Sequence, residues 1–287
     1  MTVAILIVSS LILQQLSKDF YQQAVVAFQQ GSFDQVISLL DKLHENEMER
    51  PAAYNLKALA LAGLQRYDEA LIANHRAQGL DPTSANYVYN AGLILLTKEN
   101  LQDSEQCFRK GIDRFPRSAE LHRGLGEVLF ELNRFQEAEQ WLGKAAEIDP
   151  VSAPAHVLFA KLFYALGDRR SFGTAATKAV QLDPQSHLAC YYYGIWLIED
   201  QQRFQEGKEY IQKSVALSPK FVEGIKQWAG ILTREGNLAE AARMYEKAIT
   251  IDPKDARIFY VMAGVYRKLG QHAKAEAALA EYKKARP

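Results

Sequence analysis

The side chains that could do chemistry are few and scattered. Six histidines (His44, His75, His122, His156, His187 and His272) and two cysteines (Cys107 and Cys190) are the candidates for metal ligation or nucleophilic attack. A helix-borne metal pair needs two ligands four residues apart on one face, and no two of these histidines have that spacing. His122, His156 and Cys190 recur at 34-residue intervals. Each such step crosses a whole pair of helices, roughly 10 Å, which is too far for neighbours to share an ion. Cys107 and Cys190 are separated by two whole units of the same kind, beyond disulfide reach within one molecule, and read as small buried side chains. The aspartates of Asp-Pro at 81–82, 149–150, 183–184 and 252–253 recur at helix ends and read as turn residues, not general bases. Gly124-Leu-Gly126 lies inside a predicted helix with no strand before it, so it is no dinucleotide loop. The sequence contains neither a Gly-Lys-Ser/Thr phosphate loop nor a Gly-x-Ser-x-Gly elbow. The chain therefore reads as non-enzymatic, with no cofactor and no metal.

The elements that would position any site are repeated ones. Prolines at 82, 116, 150, 184, 219, 253 and 287 are spaced 34, 34, 34, 35, 34 and 34 residues apart. The unit is clearest between Ala119 and Pro150, which reads as two amphipathic helices with a turn at Asn133-Arg134. From Ser17 the units are 17–50, 51–84, 85–118, 119–152, 153–186, 187–221, 222–255 and 256–287, the sixth with one extra residue near Gln201-Gln202. Position 8 is small in all eight: Ala24, Ala58, Gly92, Gly126, Ala160, Gly194, Ala229 and Ala263. Position 20 (Ala70, Ser104, Ala138, Gly207, Ala241, Ala275) and position 27 (Ala77, Gly111, Ala145, Ala179, Ser214, Ala248) are small in most, and Phe108, Leu142 and Tyr245 fill position 24. Small residues let helices approach and large ones fill the space between. Gly31, Gly167, Gly236 and Gly270 stand at the turn, where a positive φ is useful. The proline ends the second helix. Lys plus Arg and Asp plus Glu are 34 each, a balance that gives no footprint for nucleic acid.

Spacing, small positions and terminal proline together resemble the tetratricopeptide repeat, or TPR, over residues 17 to 287. The resemblance implies an all-α, right-handed superhelical solenoid of antiparallel helix pairs, about eight repeats plus an N-terminal half-repeat helix. It also implies a protein-interaction role, with first helices lining a concave groove. Departures are Val36, Leu43 and Met48 in the first unit, Phe172 at position 20 of the fifth and Tyr282 at position 27 of the eighth. On the TPR register the groove residues include Tyr89, Arg123, Glu127, Phe130, Lys161, Tyr164, Tyr191, Lys226, Tyr260, Arg267 and Lys268. Aromatics with arginine are the composition of binding hot spots. The carboxylate clamp of some TPR proteins is absent, because Tyr21, Val25 and Gln29 occupy its places, and so is the asparagine ladder of others. With Lys226, Arg234, Arg267 and Lys268, the C-terminal groove is expected to be locally basic and to favour an acidic peptide.

Two segments are distinguished, 1–16 and the repeats of 17–287. The apolar run from Val3 to Leu13 is shorter than the ~20 residues of a membrane span, and no basic start or small-residue cleavage site marks a signal peptide. In repeat register, residues 1 to 13 take the place of a second helix that caps the next unit. Ile5, Ile7, Val8 and Ile12 leave that helix no polar face, and a helix apolar all round is normally buried on every side. The last helix is expected to expose Ala278, Leu279 and Tyr282 among charges. Two unlike sticky ends generate rings or filaments. The leading expectation is a scaffold that associates with itself head to tail as a homo-oligomer. The alternative is a membrane-tethered or exported adaptor that holds a partner peptide in its groove. The first fits a cytoplasmic chain, the second the cell envelope or an extracellular one.

Overall fold

The computed structural model describes residues 20–43 and 50–284, and among these the regular structure is helical with no strand. The helices are α1 (20–29), α2 (Phe33–Leu40), α3 (Pro51–Gly63), α4 (Tyr67–Leu80), α5 (Ala85–Thr97), α6 (Leu101–Arg114), α7 (Ala119–Glu131) and α8 (Phe135–Ile148). They continue with α9 (Ala153–Leu166), α10 (Arg169–Leu182), α11 (His187–Ile198), α12 (Phe204–Leu217), α13 (Val222–Arg234), α14 (Leu238–Ile251), α15 (Ala256–Lys268) and α16 (His272–Lys284). Odd-numbered helices are the first of each repeat and even-numbered ones the second. The chain forms two compact units, residues 1–150 and 151–287. Within each, helices of one repeat pack on each other and on the next repeat: α4 on α5 and α6 on α7 in the first unit, α10 on α11, α12 on α13 and α14 on α15 in the second. This is an all-α stack of antiparallel helix pairs.

The turn between the two helices has one conformation at seven of the eight repeats. Position 15 is left-handed at Gly31 (φ 72°), Gln65 (61°), Glu99 (62°), Asn133 (58°), Gly167 (71°), Gly236 (80°) and Gly270 (72°). It closes the helix in the same way each time. At the fourth repeat Arg134 N–H donates to the Leu129 carbonyl and Asn133 N–H to that of Phe130, both at 2.9 Å, the pairing that satisfies the last carbonyls of a helix. The sixth repeat departs. Its extra residue replaces the left-handed turn by a 3₁₀ turn, Gln201–Arg203, entered through the Asp200 carboxylate, which accepts from Gln202 N–H at 2.9 Å. In repeats two to seven the other end of the hairpin is fixed by proline. Asp81, Phe115, Asp149, Asp183, Ser218 and Asp252 each precede one, and their φ lies between −127° and −140°. A residue before proline is pushed out of the α region, so the helix stops there.

Position 8 is small because the second helix presses a large side chain against it. A Cβ on Gly92 would lie 2.4 Å from the Phe108 ring, on Gly126 2.7 Å from Leu142, and on Gly194 2.8 Å from Ile211. Phe108, Leu142 and Ile211 are all but fully buried there. Polar members of the core are satisfied locally: Ser104 Oγ donates to the Gly92 carbonyl at 2.8 Å, and Ser214 Oγ to that of His187 at 2.7 Å. Phe172, the large departure at position 20, is buried against Tyr164 and Tyr192. Asn74 stands at position 24, where other repeats carry Phe108, Leu142 and Tyr245. It is fully buried and its Nδ2 has no partner among the described residues.

Ion pairs stitch neighbouring repeats at an equivalent place. Lys98–Asp68 (2.5 Å), Arg134–Glu105 (2.8 Å), Glu199–Arg169 (3.4 Å) and Glu235–Lys208 (2.6 Å) each join the turn region of one repeat to the second helix of the repeat before it. Pairs this exposed contribute little stability individually, and they recur in the same region of the repeat without sharing one register.

Candidate partner-binding surface

The residues expected to line a groove all fall on first helices, and in the first unit two of them, Tyr89 and Arg123, are occupied with each other. Arg123 donates to the Tyr89 hydroxyl and lies over its ring, 5.0 Å from the centroid. Burial raises the Tyr89 phenol pKa, and Arg123 offsets this only in part. The adjacent Asn90 donates to Asn55 at 2.7 Å, again from one repeat to the next. Phe130 packs on Phe135 at 5.4 Å, and Glu127 is half-buried beside these. Tyr89 with Arg123 and Asn90 with Asn55 thus form cross-repeat contacts.

The second unit presents a different surface. Tyr191 is locked edge-on between Tyr192 (5.2 Å) and Phe221 (5.1 Å), and burial raises its pKa. Tyr164 rests on Phe172 at 5.2 Å yet stays 50% exposed, and Lys161 is half-buried one turn before it. Tyr260 is 60% exposed and touches Tyr282 at 5.3 Å. Arg267 and Lys268 are exposed at the C-terminal end of α15, where their charge also suits the helix dipole. Lys226 is less available than its position suggests: it pairs with Asp255 at 2.5 Å. Burial pushes the Asp255 carboxyl up, but the Lys226 ammonium and the Arg257 N–H outweigh it and hold it below the usual carboxylate range. The basic character expected of this surface thus rests on Arg267 and Lys268, with Arg234, which lies over the Phe204 ring at 4.8 Å.

The end-face residues need correction. Ala278 is buried against the core of the second unit, because in α16 it shares with Ala275 the side that faces α15. Leu279 and Tyr282 are half-buried. Ile5, Ile7, Val8 and Ile12, with the rest of residues 1–16, lie outside the described residues. Among the described residues no helix is long and apolar enough to cross a membrane.

The two cysteines and His122 are engaged in hydrogen bonds within the fold. The Cys107 thiol donates to the Val88 carbonyl at 3.6 Å, and burial pushes its pKa up to about 11. Cys190 is raised by burial as well. His122 is buried, donates from Nδ1 to the Ser118 carbonyl (2.8 Å) and packs on Trp141. Among the described residues no three His, Cys, Asp or Glu converge as a metal site. Sequence reasoning missed two exposed members of the α15 surface, Arg257 and Val261. Their helical spacing with Tyr260 and Lys268 is the signal that could have found them.

Comparison with known proteins agrees with this architecture. A family model described as tetratricopeptide repeat matches residues 21–85 and 89–153, and a second of the same description matches 232–287, together more than half of the chain. No curated protein matches the sequence. A chain of the APC/C hetero-tetramer Cut9-Hcn1 superimposes with a TM-score of 0.75 at 14% identity, covering 93% of this chain and 53% of that one. The chain thus spans about half the length of that structure. The pilF protein of Pseudomonas aeruginosa gives 0.60 at 19% identity, over 70% of this chain and 90% of its own. Yeast Tom70 gives 0.57 at 18%, over 89% and 55%. At these identities the likeness is one of fold.

Proposed function

We propose, given that the chain belongs to the tetratricopeptide repeat family, that it is a non-enzymatic scaffold binding a partner protein along the first helices of its second unit. The observation that carries this is the exposure of large aromatic side chains there, 50% at Tyr164 and 60% at Tyr260. Core packing has no need of an exposed tyrosine, whereas interfaces are enriched in tyrosine and arginine. The first unit offers fewer such side chains, since Tyr89 and Arg123 are spent on each other. Head-to-tail association with a second copy has weaker support: four of its seven proposed residues lie outside the described chain, and Ala278 is buried.

A photo-crosslinking amino acid placed at Tyr164 or Tyr260, in cells, tests the reading. Ile72, 68% exposed on a second helix, is the control position. A protein partner captured at both tyrosines and not at position 72 supports the scaffold. Capture at position 72 alone, or none at either tyrosine, refutes it. Capture of a second copy through Leu279 or Tyr282 would favour self-association instead.

A further inference from the structure

The two helices of the fifth repeat border a cavity of about 290 Å³ that packing leaves unfilled. On the α9 side Phe159 and Phe163 stack at 5.7 Å with their planes 7° apart, and His156 stands beside Phe159 at 6.3 Å. On the α10 side Arg170, Thr174 and Lys178 form an exposed rim above the buried Ala175. The neighbouring repeats show why the space exists. Ala175 stands at position 23, which is Trp141 in the fourth repeat and Tyr210 in the sixth. Trp141 packs on His122 of position 4 at 5.6 Å, and Lys144 of position 26 lies over its ring, 3.9 Å from the centroid. Tyr210 meets Tyr193 edge-on at 4.8 Å. The fifth repeat keeps both partners of the Trp141 indole, as His156 at position 4 and Lys178 at position 26, and lacks the ring itself. The charge of the rim is positive. Among the described residues neither Arg170 nor Lys178 enters an ion pair, whereas the adjacent Arg169 is held by Glu199. The nearest acid in the chain, Asp168, caps α10 by accepting from Ser171 N–H at 3.1 Å.

We propose that this cavity binds a small planar aromatic carboxylate. Its ring takes the place that Trp141 fills in the fourth repeat, and its carboxylate meets Arg170 and Lys178. The volume selects the size: ligand pockets run from roughly 300 to 1,000 Å³, so 290 Å³ admits one fused ring system with a short substituent and not a longer chain. The α9 side selects planarity, since two stacked phenyl rings offer a flat apolar wall and aromatic rings gain from offset or edge contacts with one another. A cation over the ring adds to this, as Lys144 does for Trp141. The rim selects the charge, because two cations pair with a carboxylate and repel an amine. The Thr174 hydroxyl donates to the Arg170 carbonyl at 3.1 Å, which leaves its lone pairs to accept from a ring N–H. The site lies between the helices of one hairpin, and neither Tyr164 nor Tyr260 lines it. It therefore goes beyond the scaffold reading and does not depend on it.

The test titrates the full chain with indole-3-acetate and, separately, with tryptamine, which carries an amine on the same ring; ligand-observed NMR reads both. Indole-3-acetate binds saturably with a Kd on the order of 1 mM or below, the range open to a ligand of this size, and tryptamine does not bind. Arg170→Glu with Lys178→Glu weakens binding at least ~10-fold, as expected for charge-assisted contacts. Ala175→Trp supplies the missing ring from the chain itself, so binding is lost while the helical circular dichroism and the melting temperature are kept. Absence of saturable binding by indole-3-acetate overturns the proposal, as does equal binding of the two ligands or undiminished binding by either variant. Loss of the helical fold in Ala175→Trp overturns it as well, because the space would then not hold a ring. None of these results bears on crosslinking at Tyr164 and Tyr260, which decides the scaffold reading on its own.

Discussion

Replacing Asn74 by leucine is predicted to stabilise the first unit. Asn74 is fully buried at a position where other repeats carry fully or almost fully buried Phe108, Leu142 and Ile211. Its Oδ1 accepts from Gln78 Nε2 at 2.7 Å, and its Nδ2 finds nothing. Turning the amide over does not help, since it only moves the orphan from nitrogen to oxygen. A buried polar group left without a partner costs about 1–3 kcal/mol. Asn74→Leu removes that penalty and puts apolar surface into an apolar layer between α3 and α5. Against this, Gln78 loses an acceptor worth about 1 kcal/mol, but its side chain is only half-buried and can turn to water. Overpacking by the branched leucine could cost a further ~1 kcal/mol, which the small neighbours Ala58 and Ala77 should limit. The balance is a gain of about 1–2 kcal/mol. At ~2–4 °C per kcal/mol for a chain of this size, the melting temperature of the first unit rises by several degrees. Hydrogen exchange of residues 51–114 is the right assay, because stacked repeats open locally and not all at once. Slower exchange there, with residues 222–284 unchanged, is the expected result. Faster exchange throughout 51–114 would show that Nδ2 is satisfied after all, or that the layer has no room for a leucine, and would refute the argument.

Three other outcomes follow from the same structure. Glu99 holds a left-handed φ of 62° without being glycine, which costs ~1–2 kcal/mol. Glu99→Gly should recover up to about 1 kcal/mol after the extra chain entropy of glycine is subtracted, seen as a higher urea midpoint; a lower midpoint would contradict it. Gly92→Ala should destabilise by about 1–3 kcal/mol, because the added methyl would fall 2.4 Å from the Phe108 ring; thermal melting checks it, and an unchanged midpoint would show that Phe108 can move. The Lys226–Asp255 pair gives a pH signature. Its carboxyl is depressed in the folded state, so the contribution is complete above the ordinary carboxylate pKa, roughly 4, and is lost as pH falls through the lower folded value. Lys226→Met should therefore flatten the acid limb of the melting-temperature profile below about pH 4, and parallel profiles for the two proteins would rule the coupling out.

Much of the fold was legible because a stacked array applies the same constraint at the same position again and again. Position 8 is small in every repeat, and the contacts of Gly92, Gly126 and Gly194 show why. The prolines mark the ends of second helices for an equally local reason. Glycine at position 15 was a partial signal. Gln65 and Glu99 take the same left-handed turn as Gly31, because the hydrogen bonds that close the helix fix that φ whatever residue stands there. Leu279 and Tyr282 keep part of their expected exposure, whereas Ala278 is buried. A sequence pattern places a residue on a helix, but whether α16 turns it toward α15 depends on three-dimensional packing.

The surface was less legible because stacking leaves it unconstrained. Position 5 carries Tyr89, Arg123, Tyr191, Lys226 and Tyr260 in different repeats, and composition alone makes them equivalent. Their contacts separate them. Tyr89 and Arg123 bind each other, Tyr191 is wedged between two rings, and Lys226 is held by Asp255. Each joins neighbouring repeats or braces the inner wall, and a partner would have to break such a contact to use it. Among the described residues the ring contact of Tyr260 is with Tyr282 of its own hairpin. A side chain already committed to the stack contributes to binding only the difference between two sets of contacts, whereas an uncommitted one contributes nearly all of its buried area. Specificity in such an array should therefore concentrate where cross-repeat pairing lapses, and α15 is such a place.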